Sequence, residues 1–152
     1  MVMLPLRPIR HSRSREKDMK PDPDYIKRLL AAFQDSPEPA TDINELEARG
    51  LPYETPEFYF HLRLLNDQGF VERQDGKSGL GVEKMLDGQT VWSVVSLRLP
   101  AAGHEFAEAL NNNKAFEAVK KSLASSSLSI MRDIAVAVLK AEVGRHGLSL
   151  GG

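Results

Sequence analysis

The chain has 152 residues, 41% hydrophobic and 27% charged, a balance that suits one packed domain and argues against global disorder. With no cysteine, a disulfide framework, a thiolate metal site and a cysteine nucleophile are all excluded. The net charge of −1 divides unevenly: Arg7, Arg10, Arg13, Arg15 and Lys17 outweigh Glu16 and Asp18 to give residues 1–18 a charge of +3, so the remainder carries −4.

Residues 1–18 mix Pro, Arg and Ser with no apolar period, and they read as a disordered basic tail. Arg7 and Arg10 are followed by no apolar stretch of the kind a secretory signal needs, and no apolar run approaches the roughly 20 residues that span a bilayer. A cytoplasmic protein without a membrane partner is expected. The folded part is expected over residues 19–145, as a domain with a C-terminal helical extension, with residues 146–152 a frayed tail.

A first helix opens where Asp22 can cap, Pro23 takes the first helical position and Asp24 favours the positive helix end. Tyr25, Ile26, Leu29, Leu30 and Phe33 follow at helical spacing, and Ser36-Pro37-Glu38-Pro39 breaks it. A short second helix begins near Thr41 or Asp42, shows Ile43 and Leu46 on one face, and stops at Gly50. A third has the clearest start: Thr55 caps, Pro56 occupies the first turn, Glu57 complements the dipole, and Gly69 ends it.

Phe70-Val71-Glu72-Arg73 reads as a strand. Residues 74–89, with four glycines among charges, read as a long loop. From Val91 to Leu99 the residues alternate: Val91, Ser93, Val95, Leu97 and Leu99 on one face, Trp92, Val94, Ser96 and Arg98 on the other. That predicts one half-buried strand pairing with 70–73 in a hairpin whose loop is a wing, with Trp92 under the C-terminal helices or at an interface. Two or three helices are expected to close the chain: about 100–110 with Phe106 and Leu110, 114–124 with Phe116, Val119 and Leu123, and 129–143 with Ile130, Ile134, Val138 and Ala141. Ser125-Ser126-Ser127 links the last two. The stretch Ile134 to Leu139 is apolar almost all round, so the last helix is expected to be buried or to self-associate. The element order predicts an α+β fold: a winged helix-turn-helix-like core with a β-hairpin wing and additional C-terminal helices.

Several segments mimic chemistry without completing it. Gly76-Lys77-Ser78 looks like the end of a phosphate-binding loop, but the position of the first glycine holds Val71 and no helix follows. His104-Glu105-Phe106-Ala107-Glu108 resembles a zinc-binding helix with Glu in place of the second His, and a third ligand is not identifiable. His61 stands alone among apolar neighbours, where a packed or hydrogen-bonded ring is expected rather than a base. The carboxylates at 45, 47, 54 and 57 read as caps and solvated faces. No catalytic residue, cofactor or metal is assigned, and no enzymatic role is expected.

Three segments resemble the bacterial and prophage family grouped as domain of unknown function 2513. The run Met19-Lys20-Pro21-Asp22-Pro23-Asp24-Tyr25-Ile26-Lys27-Arg28-Leu29-Leu30 is similar to that family's opening. The segment from Tyr59 to Glu72 is similar to its middle signature, with Phe60 lying between the Tyr and the His. The segment from Leu97 to Phe106 is similar to its third, with Pro100 where the family usually has Thr. The resemblance implies a winged-helix-like fold and a place in bacterial or phage genomes; it carries no established activity and no agreed functional residues. It also suggests Met19 as the native start, which N-terminal sequencing of the native protein would test.

In a winged helix the third helix normally enters the major groove, and its outer face then carries hydrogen-bonding and cationic side chains. Helical spacing predicts Phe58, Leu62 and Leu65 inward and Phe60, Arg63, Leu64 and Asp67 outward, with Glu57 at the edge. One expectation is a DNA-binding transcriptional regulator touching duplex DNA through Arg63, Lys77 and Lys84. The alternative is a protein-interaction or self-association module that uses the fold as scaffold without nucleic acid. Its contact surface would be Phe60, Arg63, Leu64 and Asp67, with a homodimer through the last helix or the third.

Overall fold

The computed structural model describes residues 20–122 and 127–151, with side chains to residue 144. The tail assigned to residues 1–18 and most of the serine linker lie outside the described residues, as does Leu123.

Helix α1, Pro23–Gln34, starts as its residues dictate: the Asp22 carboxylate accepts from the Asp24 N–H at 3.0 Å, and Pro23 fills the first turn. Its buried face comprises Tyr25, Ile26, Leu29, Leu30 and Phe33, as the spacing predicts. Asp42 caps α2, Ile43–Ala48, by accepting from Glu45 N–H at 3.0 Å, and Ile43 and Leu46 are buried. Helix α3, Pro56–Asp67, is one unbroken helix capped by Thr55, whose hydroxyl accepts from Phe58 N–H at 3.2 Å. Phe58, Leu62 and Leu65 are fully buried in the core, each contributing about 1.5–3 kcal/mol.

The strands depart from the prediction. Four short ones occur among the described residues: β1 Glu72–Arg73, β2 Val82–Lys84, β3 Thr90–Trp92 and β4 Leu97–Arg98. They form two antiparallel pairs, nested one inside the other. β1 pairs with β4, Glu72 opposite Arg98 and Arg73 opposite Leu97. β2 pairs with β3, Val82 opposite Trp92 and Lys84 opposite Thr90. The expected single strand from 91 to 99 is therefore broken at 93–96, and the expected loop 74–89 contains β2. The cause lies at Leu80 and Gly81. Leu80 turns inward and is buried, and Gly81 adopts a left-handed φ of +79°. A Cβ on Gly81 would lie 2.8 Å from the Ser93 carbonyl, so only glycine lets the chains pass at the step. Thr41 adds a further bridge: its N–H and C=O both bond to Leu97 at 2.8 Å, so Leu97 joins the α1–α2 connection to β1 through β4.

Helices α4, Ala101–Asn111, and α5, Asn113–Lys121, follow. Phe106 and Leu110, then Phe116 and Val119, are buried as predicted. Gly103 lets α4 touch the strand connection closely: a Cβ there would sit 2.1 Å from the Phe70 carbonyl oxygen. The last helix, α6, Leu128–Gly151, packs on α4 and α5 and extends further than the 129–143 expected. Its rotation also differs from the prediction. Leu128, Met131, Ala135 and Val136 are buried, whereas Ile130 is 47% exposed, Ala141 is exposed, and Ile134 and Val138 are half-buried. A helix apolar on nearly every face carries no internal signal for which face turns inward. The fold is thus mixed α+β, largely helical, with two small antiparallel sheets and a β-hairpin. Among the described residues no helix is long and apolar enough to cross a membrane.

Candidate functional site

The outer face of α3 and the β2–β3 hairpin form one surface, joined by Trp92. The Trp92 ring meets the edges of Tyr53, Phe58 and Tyr59 at 5.8, 5.6 and 5.9 Å between centroids. This corrects its expected place under the C-terminal helices. The break at 93–96 reverses the sidedness of the strand, so Trp92 faces α3 while Val91 is 43% exposed. Edge-to-face packing of this kind fixes the hairpin's base against the start of α3.

On α3 itself, Arg63 and Asp67 are exposed as predicted. Phe60 and Leu64 are half-buried rather than stranded: Phe60 packs its edge on the His61 ring at 5.1 Å, and Leu64 packs against the core. Arg63 does not stand free, because its guanidinium donates to the Tyr59 hydroxyl at 3.1 Å and lies over that ring. Glu57, half-buried in the first turn, and exposed Glu54 and Asp67 give α3 and the turn before it three carboxylates against this one cation.

His61 is structural. It is buried, its ring stacks on Tyr25 with centroids 4.5 Å apart, and both ring nitrogens are engaged. The Asp22 N–H donates to Nε2 at 3.0 Å, so Nε2 carries no proton; Nδ1 therefore carries it and donates to the Glu57 carbonyl at 2.7 Å. Burial pushes the His61 pKa below its ordinary 6.5, against the opposing pull of the Glu57 carbonyl and the nearby Asp22 and Glu57 carboxylates. The ring thereby ties the start of α1 to the middle of α3.

The hairpin contributes the features that spacing alone did not reveal. Lys77 and Lys84 are exposed, yet each has acidic neighbours. The Asp75 carboxylate accepts from the Lys77 N–H at 2.9 Å and, held by the Arg73 guanidinium at 2.7 Å, titrates down at about 2. Lys84 lies between Glu83 and, past the tip, Asp87. At the tip Met85 is 48% exposed and Leu86 fully so, and Val91 and Val94 extend the apolar character down the hairpin. The turn is closed by Met85 N–H to Gln89 C=O at 2.7 Å and Gly88 N–H to Met85 C=O at 2.9 Å. Asp87-Gly88 was the available signal: it is a turn dipeptide between two short strands.

The remaining motifs separate. Gly76-Lys77-Ser78 sits in an exposed turn, not before a helix. His104 lies on the rim of an open cleft of about 510 Å³ between the end of α1, the 36–41 connection, β4 and the start of α4. Two of the polar groups there have partners: the His104 ring approaches the Gln34 amide at 3.5 Å, and Arg98 pairs across the strands with Glu72. Glu108 is exposed.

The geometry defines a class no finer than a mixed α+β domain whose hairpin projects an apolar tip beside a capped helix. Comparison with protein-family models, with curated proteins and with solved structures returns no match.

Proposed function

We propose that the chain is a winged-helix-like interaction module that engages a protein partner through the hairpin tip and the outer face of α3. The observation that carries this reading is the exposure of Met85, Leu86, Val91 and Val94 on one hairpin. Exposed apolar side chains gain by leaving water against a complementary protein surface. The charges agree: exposed Glu54, Asp67, Asp75, Glu83 and Asp87 outnumber Arg63, Lys77 and Lys84 around the same surface, which disfavours a phosphate backbone.

A second reading, a DNA-binding regulator, is favoured by topology. The order α1, Thr41 bridge, α2, α3, β1, hairpin, β4 follows the connectivity of a winged helix, and the Thr41–Leu97–Arg73 row resembles the small sheet from which a wing grows. The resemblance to domain of unknown function 2513 points to a bacterial or phage setting for either reading. Fold alone does not choose between them.

A photoreactive amino acid at Leu86, introduced in the cell that makes the protein, separates the two. Under the first reading it yields a specific protein adduct that Met85→Ser abolishes and Arg63→Ala does not. Salt-sensitive binding of duplex DNA by the purified chain, lost on Arg63→Ala, Lys77→Ala and Lys84→Ala together, would overturn it in favour of the second.

A further inference from the structure

Helix α6 carries a second apolar surface, on a different element from the hairpin and α3. Its inward residues, Leu128, Met131, Ala135 and Val136, are buried. Along its outer side run Ile130, Ile134, Ala137, Ala141 and Gly144, spaced alternately four and three residues apart. Ile130 is 47% exposed, Ile134 is half-buried, and Ala137, Ala141 and Gly144 are exposed. Nothing lies within 4 Å of a Cβ built on Gly144. That spacing is the seam of a coiled coil, with Ile134 and Ala141 at a positions and Ile130, Ala137 and Gly144 at d positions. Asp133 and Lys140, each immediately before an a position, flank the seam along one side as g residues. Asp133 bonds the adjacent Arg132 at 2.9 Å but stays 68% exposed. Lys140 makes no ion pair or hydrogen bond among the described residues.

We propose that this seam is a homodimer interface in which α6 packs antiparallel on α6 of a second copy. In that direction the surface is self-complementary about a two-fold axis. In an antiparallel pair each a position meets a d position, so Ile134 faces Ala137 of the partner subunit and Ile130 faces Ala141 of the partner subunit. These two layers each set one large side chain against one small one, which lets the helices approach without a void. The g positions face each other, so Asp133 meets Lys140 of the partner subunit, and symmetry makes that pair twice. A parallel pair would stack Ile on Ile and Ala on Ala, and would set Asp133 beside Val138, with no charge to meet. The helix is already formed by packing on α4 and α5, so pairing requires no coil-to-helix ordering. Four turns of Ile and Ala bury less than a standard interface, so the dimer is concentration-dependent, with a Kd of about 1 μM or weaker.

Sedimentation velocity of the full chain across a concentration series tests this. A monomer–dimer equilibrium is expected. Ile130→Lys and Ala137→Glu, both at solvent-facing positions, each weaken it by about tenfold or more while leaving the thermal melt of the monomer unchanged. Lys140→Glu, which sets Glu against Asp133, weakens it by roughly three- to tenfold, and adding Asp133→Lys to that variant restores it. A chain that stays monomeric at all concentrations overturns the proposal, as does a dimer indifferent to Ile130→Lys and Ala137→Glu. A dimer that those two weaken but that ignores the charge reversal overturns the antiparallel arrangement. The hairpin substitutions Met85→Ser and Leu86→Ser leave the equilibrium untouched, which keeps this result separate from the partner reading above.

Discussion

The helical body and the hairpin dispose of their apolar side chains in opposite ways. Between α1, α2 and α3 the large hydrophobics are sealed: Ile26, Leu29, Leu30, Ile43, Leu46, Phe58, Leu62 and Leu65 are all within 1% of full burial. In the hairpin, Met85, Leu86, Val91 and Val94 face solvent, and Leu86 has no cover at all. Trp92 is the boundary between the two, half-buried against aromatic rings that belong to the body. The difference shows which residues hold the protein together and which are left for something else to cover.

Breaking that contrast from the body's side gives the largest effect. Phe58→Ala removes the ring that both fills the core and supports Trp92, and it should cost about 3–5 kcal/mol in chemical denaturation. Next comes the tie between α1 and α3. His61→Leu leaves the Asp22 N–H and the Glu57 carbonyl without the ring and should cost about 1–3 kcal/mol at pH 8. The same substitution should flatten a pH dependence of the wild-type chain. Because the folded His61 pKa lies below 6.5, the unfolded chain takes up the proton first as pH falls. Wild-type stability is therefore full above that pH and declines as pH drops below it, until the folded ring also protonates. Denaturation midpoints at pH 8, 6.5 and 5 measure this; equal slopes in wild type and His61→Leu would show that another group carries the dependence.

The smallest effect on stability is expected at the hairpin tip. Met85→Ser with Leu86→Ser should change stability by no more than about 0.5 kcal/mol, since Leu86 is fully exposed and neither side chain belongs to the core. A loss approaching that of Phe58→Ala would mean that the tip folds against the body, and the boundary drawn at Trp92 would be wrong.

How much of this was legible in advance differs between two helices. In α3 a capping Thr, a following Pro and the stripe of Phe58, Leu62 and Leu65 predict the inward face that occurs, although Phe60 and Leu64, expected outward, are half-buried as well. In α6 the predicted stripe of Ile130, Ile134, Val138 and Ala141 has just as regular a period, yet the helix is turned so that Leu128, Met131, Ala135 and Val136 face α4 and α5. Both faces are apolar, so local pattern holds no preference between them. The strand error has another source. The alternation from Val91 to Leu99 is real, but Leu80 and Gly81 on the opposing chain interrupt the pairing halfway. The candidate surface was legible as far as Arg63 and Asp67 on α3 and the two hairpin lysines. Met85 and Leu86 were hidden inside what read as a polar loop.

The amino-acid sequence alone determined the local stops and starts: the caps at Asp22, Asp42 and Thr55, the glycine-ended helices, and the inward stripes of α1, α2 and α3. These depend on interactions spanning only three or four residues, so they are written into the chain. Tertiary structure alone decided which face of α6 is buried, where the hairpin divides, and that Trp92 meets α3 while Leu86 meets water. Those outcomes rest on partners far apart in the chain, such as Gly81 with Ser93 and Asp22 with His61, whose meeting no local pattern encodes.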